Sequence, residues 1–322
     1  MRDQPRPRGS ETGNGYRSYY GQPVLKEPVW TPEIPFYFST GGLGGASAVL
    51  AYLAGLRGNR ELARNSWAIA AIDVGISPAL LISDLGRPSR FLNMLRVFKV
   101  TSPMSVGSWL LSASGVATGI SAANAWTGAF PRGARFARPA AAALGLPLST
   151  YTAALIANTA IPVWHEARAE MPFAFAGAAA ASAGAVATAV TPVRRAAPAR
   201  RTAIWGTAVE LAVTELMQRR LGDLGEPFHQ GRAGRFTKLG LGLGAAGAAL
   251  LAARGSRSRA AAVAGSALVA GGSLAERWST FRAGFQSAAD PKYVVGQQRR
   301  RIERGKPRGR AVRTAPRAPA AS

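Results

Sequence analysis

The stretch Ile76–Leu111, ISPALLISDLGRPSRFLNMLRVFKVTSPMSVGSWLL, reads as two apolar helices joined by a polar turn centred on Asp84-Leu85-Gly86-Arg87-Pro88. Gly86 lets the backbone leave the first helix, and Pro88 keeps it from resuming at once. Arg87 and Arg90 set two fixed cations beside Asp84. A polar cluster pinned between segments apolar enough for lipid belongs at a membrane edge. Below it, Asp73 lies about 16 Å deeper along the same helix, close to mid-membrane, with Ser77 and Asp84 on its face. An acid at that depth marks a proton or ligand path, or else hydrogen-bonds a neighbouring helix.

Outward from this turn the chain repeats the pattern. Apolar runs fall at about 35–56, 65–84, 103–126, 139–163, 172–192, 202–218, 237–253 and 260–276, each near the length that crosses a ~30 Å hydrocarbon layer. The fold class expected is therefore all-α: a polytopic membrane protein of eight transmembrane helices, arranged as two four-helix bundles. Its divisions would be a disordered basic arm and interfacial segment over 1–34, a first bundle over 35–170, a second over 171–280 and a basic disordered tail over 281–322. Runs such as GGLGGASAVLA and GAAAASAGAVATA let helix backbones approach closely, which in lipid substitutes for hydrophobic drive, although alanine-rich drift gives the same composition. The polar start, with no apolar core before Pro35, predicts that the first membrane helix directs insertion without a cleavable signal peptide.

Mean hydropathy is near zero, an average that hides a segregation of apolar and basic blocks. Lys and Arg total 40 against 16 acids, and nearly all the cations lie between apolar runs or in the tails. A soluble nucleic-acid binder would interleave cations with core helices and aromatic platforms, so the expected partner is the lipid bilayer and not nucleic acid. A polar arm and a polybasic tail are easier to retain than to export, which predicts that both termini and the Asp84 turn face the cytoplasm. With no cysteine, the chain cannot ligate an iron–sulfur cluster, form a disulfide or hold a covalently attached haem.

Three stretches carry a resemblance. SDLGRPSRF followed by SPMSVGSWLL is similar to the signature of the NrfD-like family, the membrane subunits of polysulfide-reductase-type complexes. Tyr20-Gly21-Gln22-Pro23-Val24-Leu25, with Pro28-Val29-Trp30 and Ile34-Pro35-Phe36-Tyr37-Phe38, resembles the family's opening. Ile161-Pro162-Val163-Trp164, with Met171-Pro172-Phe173, resembles its middle. The resemblance spans roughly residues 19 to 175. It implies electron exchange between a membrane quinone, menaquinone or ubiquinone, and a four-cluster ferredoxin-like iron–sulfur subunit that connects to a molybdopterin catalytic subunit. It also implies a quinone headgroup among the first four helices, near Glu33 and Tyr37, the Asp84–Arg87 turn and Tyr151. Where family members often present Asn or His near the start of helix one, this chain has Glu33 and Tyr37.

The residues offer their own chemistry. Tyr151, Asn158 and His165 are spaced by sevens on the expected fourth helix, a stripe of donors suited to quinone carbonyl oxygens or to helix packing. His165 with Glu166 would relay protons to water, Glu210 beside Thr207 and Thr214 is a second acid within a span, and Trp164 reads as a belt aromatic. Arg87 and Arg90 would stabilise a developing oxyanion. Haem b usually takes two histidines from within helices, whereas this chain has only His165 and His229, so no haem is expected. Glu210 and Glu215 are five apart and face different directions, so no metal site is expected either. A small-solute or ion transporter and a purely structural membrane anchor are the competing readings, the first weakened by the lack of an internal repeat.

Overall fold

The computed structural model describes residues 25, 26, 28, 30–84 and 93–295. Arg87, Arg90, most of the expected arm and the tail beyond residue 295 lie outside the described residues. Eight long helices follow one another: α1 Glu33–Leu56, α2 Arg60–Asp84, α3 Pro103–Thr127 and α4 Pro131–Ala157, then, after the five-residue α5 Pro162–Glu166, α6 Met171–Val190, α7 Ala197–Leu221, α8 Gly231–Ala253 and α9 Arg259–Ala289. Proline stands in the first turn of α3, α4, α5, α6 and α7, where its missing N–H costs nothing and its φ is already helical. Ser102 and Ser258 cap α3 and α9 by accepting from the Ser105 and Ala261 amides. Gly58 and Gly128, at φ +73° and +75°, turn the chain after α1 and α3.

Five of these helices, α2, α3, α4, α6 and α8, are long and apolar enough to cross a membrane. The other three fall short on composition. Glycines dilute α1, while α7 carries Arg200, Arg201, Glu210 and Glu215, and α9 carries Arg259, Glu276, Arg277 and Arg282. Against the eight spans expected, the described residues hold eight long helices, of which five are long and apolar enough to cross a membrane.

α1 packs on α2 and α4, and α3 packs on the same two, closing a ring. Downstream, α6 packs on α7 and α9, and α8 on α9 and α7. The two sets meet where α6 lies against α1 and α4, and where α9 reaches α1. Small residues make these approaches possible. A Cβ at Gly45 would lie 2.5 Å from the Gly145 carbonyl oxygen, and one at Gly145 would lie 2.4 Å from that of Gly45. The backbones of α1 and α4 therefore touch, as lipid-embedded helices require when no hydrophobic drive presses them together. Gly145→Leu is expected to pry this crossing apart and leave no folded protein in detergent extracts; a monodisperse, helical variant by size exclusion and circular dichroism would show that the crossing is dispensable.

Helix ends at the Arg57 side are tied by side chains. Arg259 donates to the carbonyl oxygens of Thr188, Ala189 and Thr191, and Asn65 to that of Val190, satisfying the orphan acceptors at the end of α6. At the Asp84 side, Arg220 bonds both carboxylate oxygens of Glu170 and the Glu166 carbonyl. Nearby, the Glu226 carboxylate accepts from Lys292, Tyr293 and Gln230, and the Lys292 bond holds it below the usual carboxylate range.

Three expectations need correction. The last long helix does not end at 276, nor is 281–322 disordered from its start. α9 runs to Ala289 and buries Phe281, Ala283, Gly284, Ser287 and Ala288. The fourth helix stops at Ala157, because Ile161 precedes Pro162 and takes an extended conformation, φ −69° and ψ 120°. Trp164 is not a belt aromatic but fully buried. It stacks on Trp30 at 5.2 Å and donates to the Thr280 carbonyl at 2.7 Å, and its ring occupies the space that a side chain at Gly284 would need.

Candidate functional site

Because α2 ends where α1 begins, Asp84 meets the approach to the first helix. Its Oδ1 accepts from the Thr31 amide at 3.0 Å and from the Thr31 hydroxyl at 2.7 Å. Two residues on, Glu33 opens α1 with Oε2 buried and without a hydrogen-bond partner among the described residues. Tyr37 follows one turn deeper on the same face and is itself buried. Its ring meets that of Tyr151 edge to face, with centroids 6.5 Å apart.

Tyr151 is held from the other side by α3. Gly107 leaves room for the ring, since a Cβ there would come within 2.3 Å of Tyr151 Cε2. The Tyr151 hydroxyl is buried and has no hydrogen-bond partner among the described residues. A buried hydroxyl left without an acceptor carries a desolvation cost, so it is a donor in want of an acceptor. Another turn down the same face, Gly41 is buried, yet a Cβ built on it would meet nothing within 4 Å. The α1 face below Tyr37 therefore borders unfilled space.

Polar contacts continue inward. Thr40 and Ser77 join their hydroxyls at 2.9 Å across α1 and α2, and the Ser77 hydroxyl donates to the Asp73 carbonyl at 2.8 Å. Asp73 is buried, its Cβ packed against Gly44. From Glu33 to the level of Gly44 the column descends about 16 Å.

The stripe of Tyr151, Asn158 and His165 is not one helix face. Tyr151 is in α4, Asn158 is its exposed C-cap residue, and His165 is exposed in the separate α5, its carbonyl accepting from Arg168. Glu166 is half-buried, 3.9 Å from Arg168. His165 and Glu166 thus flank the water-facing turn and do not extend the Tyr151 face.

Glu210 lies apart from the Asp73 column, in a buried cluster among α6, α7 and α9. Ser273 Oγ is 3.1 Å from both Glu210 carboxyl oxygens and 3.2 Å from the Ala178 carbonyl. Thr207, the expected neighbour of Glu210, donates back to the Ala203 carbonyl. Glu276 and Arg277 complete the cluster, buried at 6% and 4% exposure. Arg277 donates to the Phe175 carbonyl at 3.0 Å, lies 3.6 Å over the Phe175 ring, and reaches to within 3.9 Å of the Cβ position of Gly42 on α1. Glu276 rests on Gly240 of α8. Sequence reasoning took Glu276 as the end of a span and missed the pair. The available signal was an acid–base dipeptide one turn after Gly271-Gly272-Ser273, where small residues promise close packing and not water. Among the described residues no group of His, Asp and Glu is arranged to hold a metal ion.

A family model described as polysulphide reductase, NrfD, matches residues 23–218, from the approach to α1 through most of α7. It covers the Asp84–Tyr151 column and Glu210 and stops before α8 and α9. No curated protein matches the chain.

Proposed function

Because the chain belongs to the NrfD family, whose members are membrane subunits of quinone-linked oxidoreductase complexes, we propose that it exchanges electrons and protons between the quinone pool and an iron–sulfur subunit. In this reading all eight long helices cross the membrane as two four-helix bundles, with the termini and the Asp84 turn cytoplasmic. The partners are a four-cluster ferredoxin-like subunit and, through it, a molybdopterin catalytic subunit. The observation that carries it is the orphaned Tyr151 hydroxyl, buried beside Tyr37 and above the open space at Gly41. That donor fits a quinone carbonyl oxygen, and the aromatic walls fit a flat ring.

A bound quinone, menaquinone or ubiquinone, supplies two-electron chemistry coupled to two protons. The chain's residues do the rest. Tyr151 would donate to a carbonyl oxygen, and Tyr37, edge to face with it, would wall the site. Glu33 and Asp84 carry protons at the aqueous rim, and Thr40, Ser77 and Asp73 continue the polar path inward. Arg87 and Arg90, close to Asp84 in sequence and outside the described residues, would stabilise developing negative charge, and His165 with Glu166 offers a second exit at the Asp84 end. Glu210 with Glu276 and Arg277 forms a further candidate proton station. Two carboxyl groups and one guanidinium buried in one cluster are together neutral only when one carboxyl holds a proton.

Extraction of lipid from the purified chain tests the reading: stoichiometric quinone is expected, whereas its absence together with solute uptake by proteoliposomes would make the protein a transporter. Asp84→Asn keeps an oxygen for Thr31 and removes only the charge. It should stop quinone-linked electron flow with the complex assembled, while Asp73→Asn should slow proton-coupled turnover more than assembly. Unchanged turnover in both variants would reduce the column to helix packing.

A further inference from the structure

At the opposite end from Asp84 the turns and the helix ends beside them carry thirteen arginines and one acid, Glu61. Several arginines have structural work. Arg64 lies 3.9 Å over the Trp126 ring, Arg138 donates to Asn124, Arg200 to the Gly255 carbonyl and Arg259 to the end of α6. Arg57 and Arg201 have no ion-pair or hydrogen-bond partner among the described residues, and both stand at the mouth of one groove. α1 and α7 each pack on α6, and the space between them is a cavity of about 750 Å³.

The groove has a sealed floor and an open, apolar wall. Gly177 and Gly206 bring α6 and α7 into backbone contact, since a Cβ on either would lie 2.6 Å or less from a backbone nitrogen of the other helix. Leu53, Trp205 and Val209 line the sides at 45%, 70% and 45% exposure. From Arg201 to Val209 the wall descends about 12 Å into the hydrocarbon layer. Asn59 holds the rim by capping Leu62 and donating to the Arg195 carbonyl, and Thr202 donates back to Pro198, so no polar side chain of the lining is directed down the groove.

We infer that this groove is a binding site for one phospholipid with an anionic headgroup, its phosphate between Arg57 and Arg201 and an acyl chain along Leu53, Trp205 and Val209. Two guanidiniums, one on the C-cap residue of α1 and one on α7, both lining one apolar slot, match a phosphodiester above a hydrocarbon chain. A quinone, with a neutral head and a need for buried donors, matches the other end of the molecule. Trp205, one turn from Arg201 on α7 and 70% exposed, is the kind of amphipathic ring that marks a headgroup boundary. The lipid would fill the seam between the N-terminal and C-terminal helix sets, and the inference stands whether or not a quinone binds beside Tyr151.

Native mass spectrometry of the delipidated full chain, with dioleoyl phosphatidylglycerol or dioleoyl phosphatidylcholine added back, tests it. One phosphatidylglycerol per chain is expected, with phosphatidylcholine at least about tenfold weaker. The paired variant Arg57→Gln with Arg201→Gln should lose that preference. Ala180→Phe, which fills the groove and keeps both arginines, should lose binding. Arg132→Gln with Arg254→Gln, on the same rim away from the groove, should retain it. Equal binding of both lipids, displacement by quinone, equal loss in the rim control, or full binding by Ala180→Phe would each overturn the assignment.

Discussion

Tyr151→Phe is expected to lower quinone-linked electron transfer about 100-fold, the loss typical of removing one aimed donor from a low-dielectric site, without loosening the fold. The two halves of this expectation come from the same atom. The Tyr151 hydroxyl is buried and bonds to no described protein group, so deleting it removes a desolvation cost and no protein contact. The ring stays where Gly107 and Tyr37 hold it. A thermal unfolding midpoint equal to or above that of the wild type, together with slow quinol oxidation, would separate a ligand-facing hydroxyl from a structural one. Wild-type turnover would remove Tyr151 from the site. Gly41→Leu gives an independent check on the same space: filling the void below Tyr37 should weaken quinone binding while Tyr151 keeps its hydroxyl.

The eight long helices among the described residues, and most of their boundaries, were legible in the sequence because they depend on local chemistry. Apolar runs of spanning length, prolines at first turns and glycines in the turns each act within a few residues. Asp84 was legible for the same reason, as a charged residue between a helix end and a glycine. What escaped depends on distant neighbours. Trp164 looked like an interfacial tryptophan until the Thr280 carbonyl, 116 residues away, and the empty Cβ position of Gly284 made a pocket for it. Glu276, Arg277, Ser279 and Thr280 looked like the polar end of a span. In the fold all four are buried, and the helix continues beyond them with its aromatic residues on Trp164 and Trp278. The Tyr151–His165 stripe failed for a local reason that was available, since the residue before a proline resists the helical region and Ile161 precedes Pro162.

The buried cluster yields an expected change in stability that can be measured in a folded variant. Arg277→Met should destabilise the protein by about 3–5 kcal/mol, because it strands Glu210 and Glu276 in a site sealed by α6, α7, α8 and α9. The guanidinium acts electrostatically on both carboxyls and also satisfies the Phe175 carbonyl, so its removal takes away charge, hydrogen bond and ring contact together. Buried ion clusters replaced whole by apolar groups are often no less stable than the original. The triple variant Glu210→Gln, Glu276→Gln, Arg277→Met should therefore recover most of the loss, and unfolding in detergent across the full mutant cycle measures how strongly the three are coupled. If the single and triple variants lose equal stability, Arg277 contributes by packing on Phe175 and not by charge. If instead the triple variant folds like the wild type yet its proton-coupled turnover falls, the cluster is retained for moving protons between the helix sets that Arg277 joins at Gly42.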